Sequence, residues 1–275
     1  MFNSTSCETP SRSTATDAGV AGAGVLLSFI ITAGLSIILS SIIILYELLR
    51  KSGEAKIFRK LLLSFSDQQI LTGIGIQSVG LAKMQSMVPY HFFIIWMLSL
   101  LSTATHLATL LALVNDFKRD WILRWLRQFL MFINLVLSCV FGIFVLQAVM
   151  KDLDQTLPIA CVWQLPSHKA QSNAAISIAG TIAVIAGNVL VFVFGVWYLH
   201  SQTKRWLKIF QVVGLIILFA SAAGATIRVI LLSQAFGTPS VNLDGTGERE
   251  WSFGQLLPIL LLLLPLVSAV EIYRG

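Results

Sequence analysis

Charge is scarce in this chain, and that scarcity argues against a soluble fold. Only 12% of its 275 residues are Asp, Glu, Lys or Arg while 56% are hydrophobic, about half the charged share of an ordinary soluble domain. Histidine and cysteine are scarcer still, at four and three residues. His91 and His106 would stand about 22 Å apart along one helix, too far to ligate one metal. No metal site and no cofactor is expected. The 19 basic residues are split among short segments that flank apolar runs, so a nucleic-acid partner has no support. There is no G-x-S-x-G for a hydrolase, no Lys in the last apolar run for a retinal Schiff base, and no N-P-x-x-Y at Pro265. The deep carboxylates are too few to hold Mg²⁺ on a diphosphate. No solenoid-type repeat is present, and nothing in the sequence specifies an oligomeric state.

What the chain has is long apolar runs, with a mean hydropathy of +0.82. They fall at 22–47, 61–83, 89–114, 128–149, 173–199, 209–233 and 254–272, each near the 20 or so residues that cross a bilayer. The expected fold is an all-α polytopic bundle of about seven transmembrane helices over 22–273, preceded by a polar tail over 1–21. Thirteen basic residues lie in the breaks after the first, third and fifth runs or at the C-terminal end, against five on the other side. The positive-inside rule then puts the N-terminus outside and the C-terminus in the cytoplasm. No cleavable signal peptide is evident, so the first run is expected to act as its own insertion signal. An endoplasmic reticulum or other endomembrane location is favoured over the plasma membrane. The Ser/Thr-rich tail is expected to be mobile, and the outer loops 150–172 and 234–253 to be solvated linkers, or else caps over a cavity. Cys7 and Cys161 both face the oxidising side and are candidates for a disulfide, or two unpaired thiols. Cys139 lies within a span, and Asn3-Ser4-Thr5 is an N-glycosylation sequon.

Charges inside hydrocarbon normally mark a site. Only Asp67 and Arg228 are expected to be deep, separated by roughly 13 Å along the bilayer normal. His106 lies about 12 Å from the inner end of its span, near the level of Asp67. The two spans are joined by a short turn, so Asp67, Gln68 or Gln69 is expected to hydrogen-bond His106, either as a catalytic pair or as glue between two helices. A lone buried carboxylate favours its neutral form and can act as a general acid, with His106 supplying the proton again. Tyr90, His91, Phe92, Phe93 and Trp96 are interface anchors or the wall of a pocket whose π faces steady a carbocation. Asn134 and Asn188 are expected to bridge helices. The substrate-binding candidates are Gln68, Gln69, Tyr90, His91, Trp96 and Arg228, and the expected partners are a lipophilic small molecule and the lipid bilayer. The alternative is a receptor whose outer pocket uses Arg228, Tyr90 and His91.

Ser66-Asp67-Gln68-Gln69, Thr72-Gly73, Tyr90-His91-Phe92 and Ser102 to Leu110, with Thr105-His106-Leu107 at its centre, resemble a fungal family of polytopic integral membrane proteins. The match spans 64–128, about a quarter of the chain. The group is similar to the membrane-bound terpene cyclases of fungal meroterpenoid pathways. That resemblance implies a metal-free cyclisation of a prenylated or epoxidised substrate, opened by an acid.

Overall fold

In lipid a backbone must satisfy its own polar groups, and a chain this apolar does so by forming helices. The computed structural model describes residue 7 and residues 10–49, 56–118, 121–165, 174–201 and 206–267. In order these form β1 (Thr14–Ala15), α1 (Ala18–Ala21), α2 (Ala23–Leu48), α3 (Lys56–Ala82), α4 (Pro89–Ala112), α5 (Val114–Phe117) and α6 (Trp121–Met150). A 3₁₀ turn (Ile159–Trp163), α7 (Ala174–His200), α8 (Leu207–Leu232), β2 (Leu243–Asp244) and α9 (Phe253–Leu261) follow.

Among the described residues, five helices are long and apolar enough to span a bilayer: Ala18–Leu48, Pro89–Ala112, Arg124–Met150, Ala175–His200 and Leu207–Leu232. The other two expected spans fall short for different reasons. Helix α3 has the length, at 27 residues, but opens on Lys56, Arg59 and Lys60 and carries a polar stripe. Among the described residues the last apolar helix covers Phe253–Val267. Pro258 and Pro265 each remove a backbone donor from it, and a turn at Leu262 interrupts it.

Helix α4 is the axis of the fold. It is buried along its whole length and is packed by α2, α3, α6, α7 and α8. Pro89 starts it where a missing N–H is harmless. Its Thr103, Thr105 and Thr109 hydroxyls donate to the carbonyls one turn back, at 2.8, 3.0 and 2.8 Å, which removes their need for outside partners. Gly73 brings α3 close, because a Cβ there would lie 2.2 Å from Ser102 Oγ. The outward faces of α6, α7 and α8 carry exposed Phe129, Phe132, Val193, Trp197 and Phe219, as lipid-facing surfaces do.

The two ends of the bundle differ. At one end Arg59 pairs with Glu47 and Asp116, and Lys118 donates to Ser201 O at 2.6 Å. At the other end the tail and the loops knit together, which corrects two expectations. The described part of the N-terminal segment is not a loose tail: β1 pairs in parallel with β2, Thr14 against Leu243, Cys7 is disulfide-bonded to Cys161 with Cα atoms 5.7 Å apart, and Asp17 pairs with Lys83 at 2.8 Å. The segment after α8 is not a solvated linker either, since it folds over this end and buries Glu248 completely. Asn3 lies outside the described residues.

Candidate functional site

On α3 the residues facing α4 are Ser66, Gln69, Gly73, Gln77 and Gly80, all buried and spaced three or four apart. That stripe is one helical face. Gln77 Nε2 donates to Asn134 Oδ1 at 2.8 Å, and Asn134 Nδ2 donates to Thr103 Oγ1 at 3.1 Å, so Asn134 bridges α3, α4 and α6. Ser99 Oγ meets Ser138 Oγ at 2.9 Å, and Ser102 Oγ donates to Gln69 O at 2.8 Å.

Asp67 stands about 120° away from that stripe at 3.6 residues per turn, and this overturns its expected pairing. Instead of reaching His106 it turns toward α6, where Arg127 Nε and Nη2 donate to its two carboxylate oxygens at 2.9 and 2.7 Å. Its side chain is 45% exposed, so it is not the lone buried acid either. The bidentate guanidinium engages both of its oxygens. The Ser102–Gln69 contact sets the register that brings His106 to the level of Ser66 and Asp67. Its ring is fully buried, yet neither nitrogen has a hydrogen-bond partner among the described residues. The amide nitrogen of Gln69 and the amide oxygen of Gln68 are also unpaired, and both residues line a different cavity, shared with α2 and α9.

The buried carboxylate is Glu248, which the sequence placed in a loop. Tyr90 Oη donates to Glu248 Oε2 at 2.8 Å, and His91 Nε2 lies 2.7 Å from Oε1. Tyr90 Oη also accepts from the Gln234 N–H at 2.8 Å. Around this centre Arg249 Nε donates to Gln234 O at 2.6 Å, Gln234 Nε2 to Gly245 O at 2.8 Å, and the Ala23 N–H to Glu248 O at 3.1 Å. Two adjacent residues at the start of α4 thus hold a fully buried carboxylate delivered by the loop before α9.

Tyr90 also faces a cavity of about 460 Å³ between the ends of α4, α6 and α8 that lie on the disulfide-bearing side of the bundle. Phe93, Val145, Val149, Leu153 and Leu232 make it apolar, while Arg228, Asp152 and Gln155 supply polar groups. Asp152 adopts left-handed backbone with φ of 51°, and Leu153 N–H bonds Ala148 O across it at 3.0 Å. This ends α6 and turns the chain along the cavity wall. Arg228 has no ion-pair or hydrogen-bond partner among the described residues. It also lines a smaller void of about 160 Å³ with Trp96, whose buried indole N–H is unpaired.

The sequence candidates therefore fall in three places. Tyr90, His91 and Arg228, with Trp96 beneath them, gather at the disulfide-bearing end. Gln68 and Gln69 also line the α2–α9 cavity, and Asp67 and His106 lie at one level without meeting. Glu248 and Gln234 were missed because a loop has no periodicity to show which of its residues turn inward. Arg127 was read as a loop charge, although the amphipathic run from Trp121 to Gln128 extends α6 to include it. Among the described residues no cluster of His, Cys, Asp or Glu could hold a metal ion. No family model, curated protein or solved structure matches the chain.

Proposed function

We propose that this chain is a membrane-bound enzyme that isomerises a lipophilic small molecule by an acid-initiated, terpene-cyclase-type reaction in the outer cavity beside Tyr90. The observation that carries the reading is a fully buried carboxylate held by a tyrosine that itself lines a mostly apolar cavity. In the resting arrangement Tyr90 donates to Glu248. A proton taken up by the Glu248–His91 pair reverses that bond, so that Glu248 donates to Tyr90 and the Tyr90 O–H turns into the cavity. Breaking that O–H bond while an olefin C–H or epoxide O–H bond forms generates the cation. The Gln234 N–H holds the phenol oxygen, and Glu248 returns a proton to it. The faces of Phe93 and Tyr90 stabilise positive charge, and Arg228 anchors an oxygen of the substrate. Loss of a proton from the cyclised cation, passed back through Tyr90 to Glu248, leaves the enzyme unchanged.

The same reading takes α3 and Phe253–Val267 as the sixth and seventh spans. The polar stripe of α3 is buried against α4, so its modest hydropathy does not oppose a transmembrane position. The end that carries the Cys7–Cys161 bond is then luminal, as an oxidised pair requires, and the end that carries Arg59 and Lys118 is cytoplasmic. We place the protein in the endoplasmic reticulum or another endomembrane.

The test is conversion of an epoxidised, prenylated substrate by microsomes, followed by mass spectrometry. Glu248→Gln and Tyr90→Phe should each lower turnover at least 100-fold with folded protein still present. Wild-type rates in both would sink the proposal. A receptor reading is favoured by one feature, that Tyr90 and Arg228 line a single outward cavity. Ligand-dependent recruitment of a cytoplasmic partner, without turnover, would decide for it.

A further inference from the structure

We infer that a second cavity, between α2, α3 and α9, is a binding site for a lipid alcohol. It holds about 410 Å³ and shares no lining residue with the outer cavity, so this proposal and the proposed reaction stand or fall separately. Its walls are apolar at Val25, Phe29, Ile76 and Leu257, which suits an aliphatic or isoprenoid body entering from the bilayer. Two amides break that surface. Gln69 is 2% exposed with its Nε2 unpaired, and the buried Oε1 of Gln68 is unpaired as well.

Other polar side chains on the wall do not supply these partners. Ser28 and Thr32 donate to carbonyls of their own helix at 2.7 Å each. Thr72 donates to Gln68 O at 3.0 Å, and the Lys83–Asp17 pair at the outer rim is mutually satisfied. What remains is two amide side chains without partners among the described residues, each with N–H donors and an oxygen acceptor, on the wall of an apolar cavity. A hydroxyl accepts from an N–H and donates to an oxygen. A ketone or ether satisfies only the donor, a hydrocarbon satisfies neither, and a charged head group would find no free countercharge on this wall.

The experiment uses the full chain in nanodiscs with two photoreactive, alkyne-tagged lipid alcohols, one sterol-like and one a linear prenol, each competed by its untagged alcohol and by the matching methyl ether. Saturable labelling mapped to 56–82 or 253–267, competed at least tenfold better by the alcohol than by the ether, is the expected result. The stronger of the two probes identifies the body of the lipid. Gln69→Leu should weaken labelling about tenfold. Gly75→Leu is the second variant: Gly75 lines the cavity and a Cβ there meets nothing within 4 Å, so the leucine fills the site without a clash and should abolish labelling. Labelling that is unsaturable, that maps to the outer cavity, that the ether competes equally well, or that survives Gly75→Leu would overturn the inference.

Discussion

Replacing Glu248 with Leu tests the centre of the outer site most directly. The substitution leaves the Tyr90 hydroxyl and His91 Nε2 without the acceptor they meet at 2.8 and 2.7 Å, in a place where Glu248 has no exposure at all. Hydrogen bonds to a charged group contribute about 1.5–3 kcal/mol each, and removing the carboxylate recovers part of its burial cost. The net loss should be about 3 kcal/mol. At about 2–4 °C per kcal/mol for a chain of this size, unfolding of the detergent-solubilised protein, followed by tryptophan fluorescence, should move down by roughly 6–12 °C. Glu248→Gln keeps one acceptor and should lose about half as much. A cycle with Tyr90→Phe separates the bond from general disruption, because the double variant should be less destabilised than the sum of the singles by about 1.5 kcal/mol. A shift under 2 °C for Glu248→Leu, together with additive singles, would refute the geometry.

Four other perturbations read different parts of the fold. Asp67→Asn breaks a half-exposed ion pair worth about 1 kcal/mol and should leave turnover within about threefold of wild type, whereas an acid at Asp67 would lose nearly all of it. His106→Leu removes two buried ring nitrogens that have no partners and should raise the unfolding midpoint by about 2–5 °C, equivalent to roughly 1–2 kcal/mol; a lowered midpoint would show that the ring has partners in the membrane. Cys7→Ser opens a connection spanning 154 residues, worth at most about 5 kcal/mol by chain entropy, and should speed tryptic cleavage after the exposed Arg12 under native conditions. The Asp154 carboxyl is held below its ordinary range by the Thr156 hydroxyl and then the Thr156 N–H. Because the folded value is the lower one, this support is complete above about pH 4 and disappears as the pH falls through the lowered value. Corrected for the intrinsic pH dependence of exchange, the protection of amides in 150–165 should therefore fall on acidification in wild type, and Asp154→Asn should lose that dependence.

The long helices were legible because lipid imposes one requirement on every residue of a span, and a run of twenty apolar side chains records it. The span expected at 61–83 is a helix in the structure, but the polar stripe of Ser66, Gln69 and Gln77 leaves it outside the five helices apolar enough to cross a bilayer. Depth was also legible: helix rise alone put Asp67 and His106 at one level. Azimuth was not, because a single span shows no strong amphipathic pattern in a bundle whose outside is as apolar as its inside. A rotation of about 120° decided between His106 and Arg127 for Asp67. The folded, disulfide-bearing end was the least legible part. Glu248 is brought to Tyr90 across 158 positions, by a disulfide, a two-residue strand pair and a set of backbone contacts that leave no periodic trace.

The distribution of unsatisfied polar atoms connects these layers. At the disulfide-bearing end every side-chain oxygen of Tyr90 and Glu248 is engaged, and a pair so bonded is rigid. Across the middle of the bundle Ser36, Ser40, Ser66, Gln69 and His106 are buried on three mutually packed helices with unpaired atoms. A fold stabilised only by packing would gain by replacing them with apolar residues of similar size. Rigid, satisfied groups suit positioning a proton, and unsatisfied amides beside a cavity suit receiving a ligand. On the proposed readings, the satisfied pair at Tyr90 and Glu248 moves the proton and the unsatisfied amides beside the α2–α9 cavity meet the lipid alcohol.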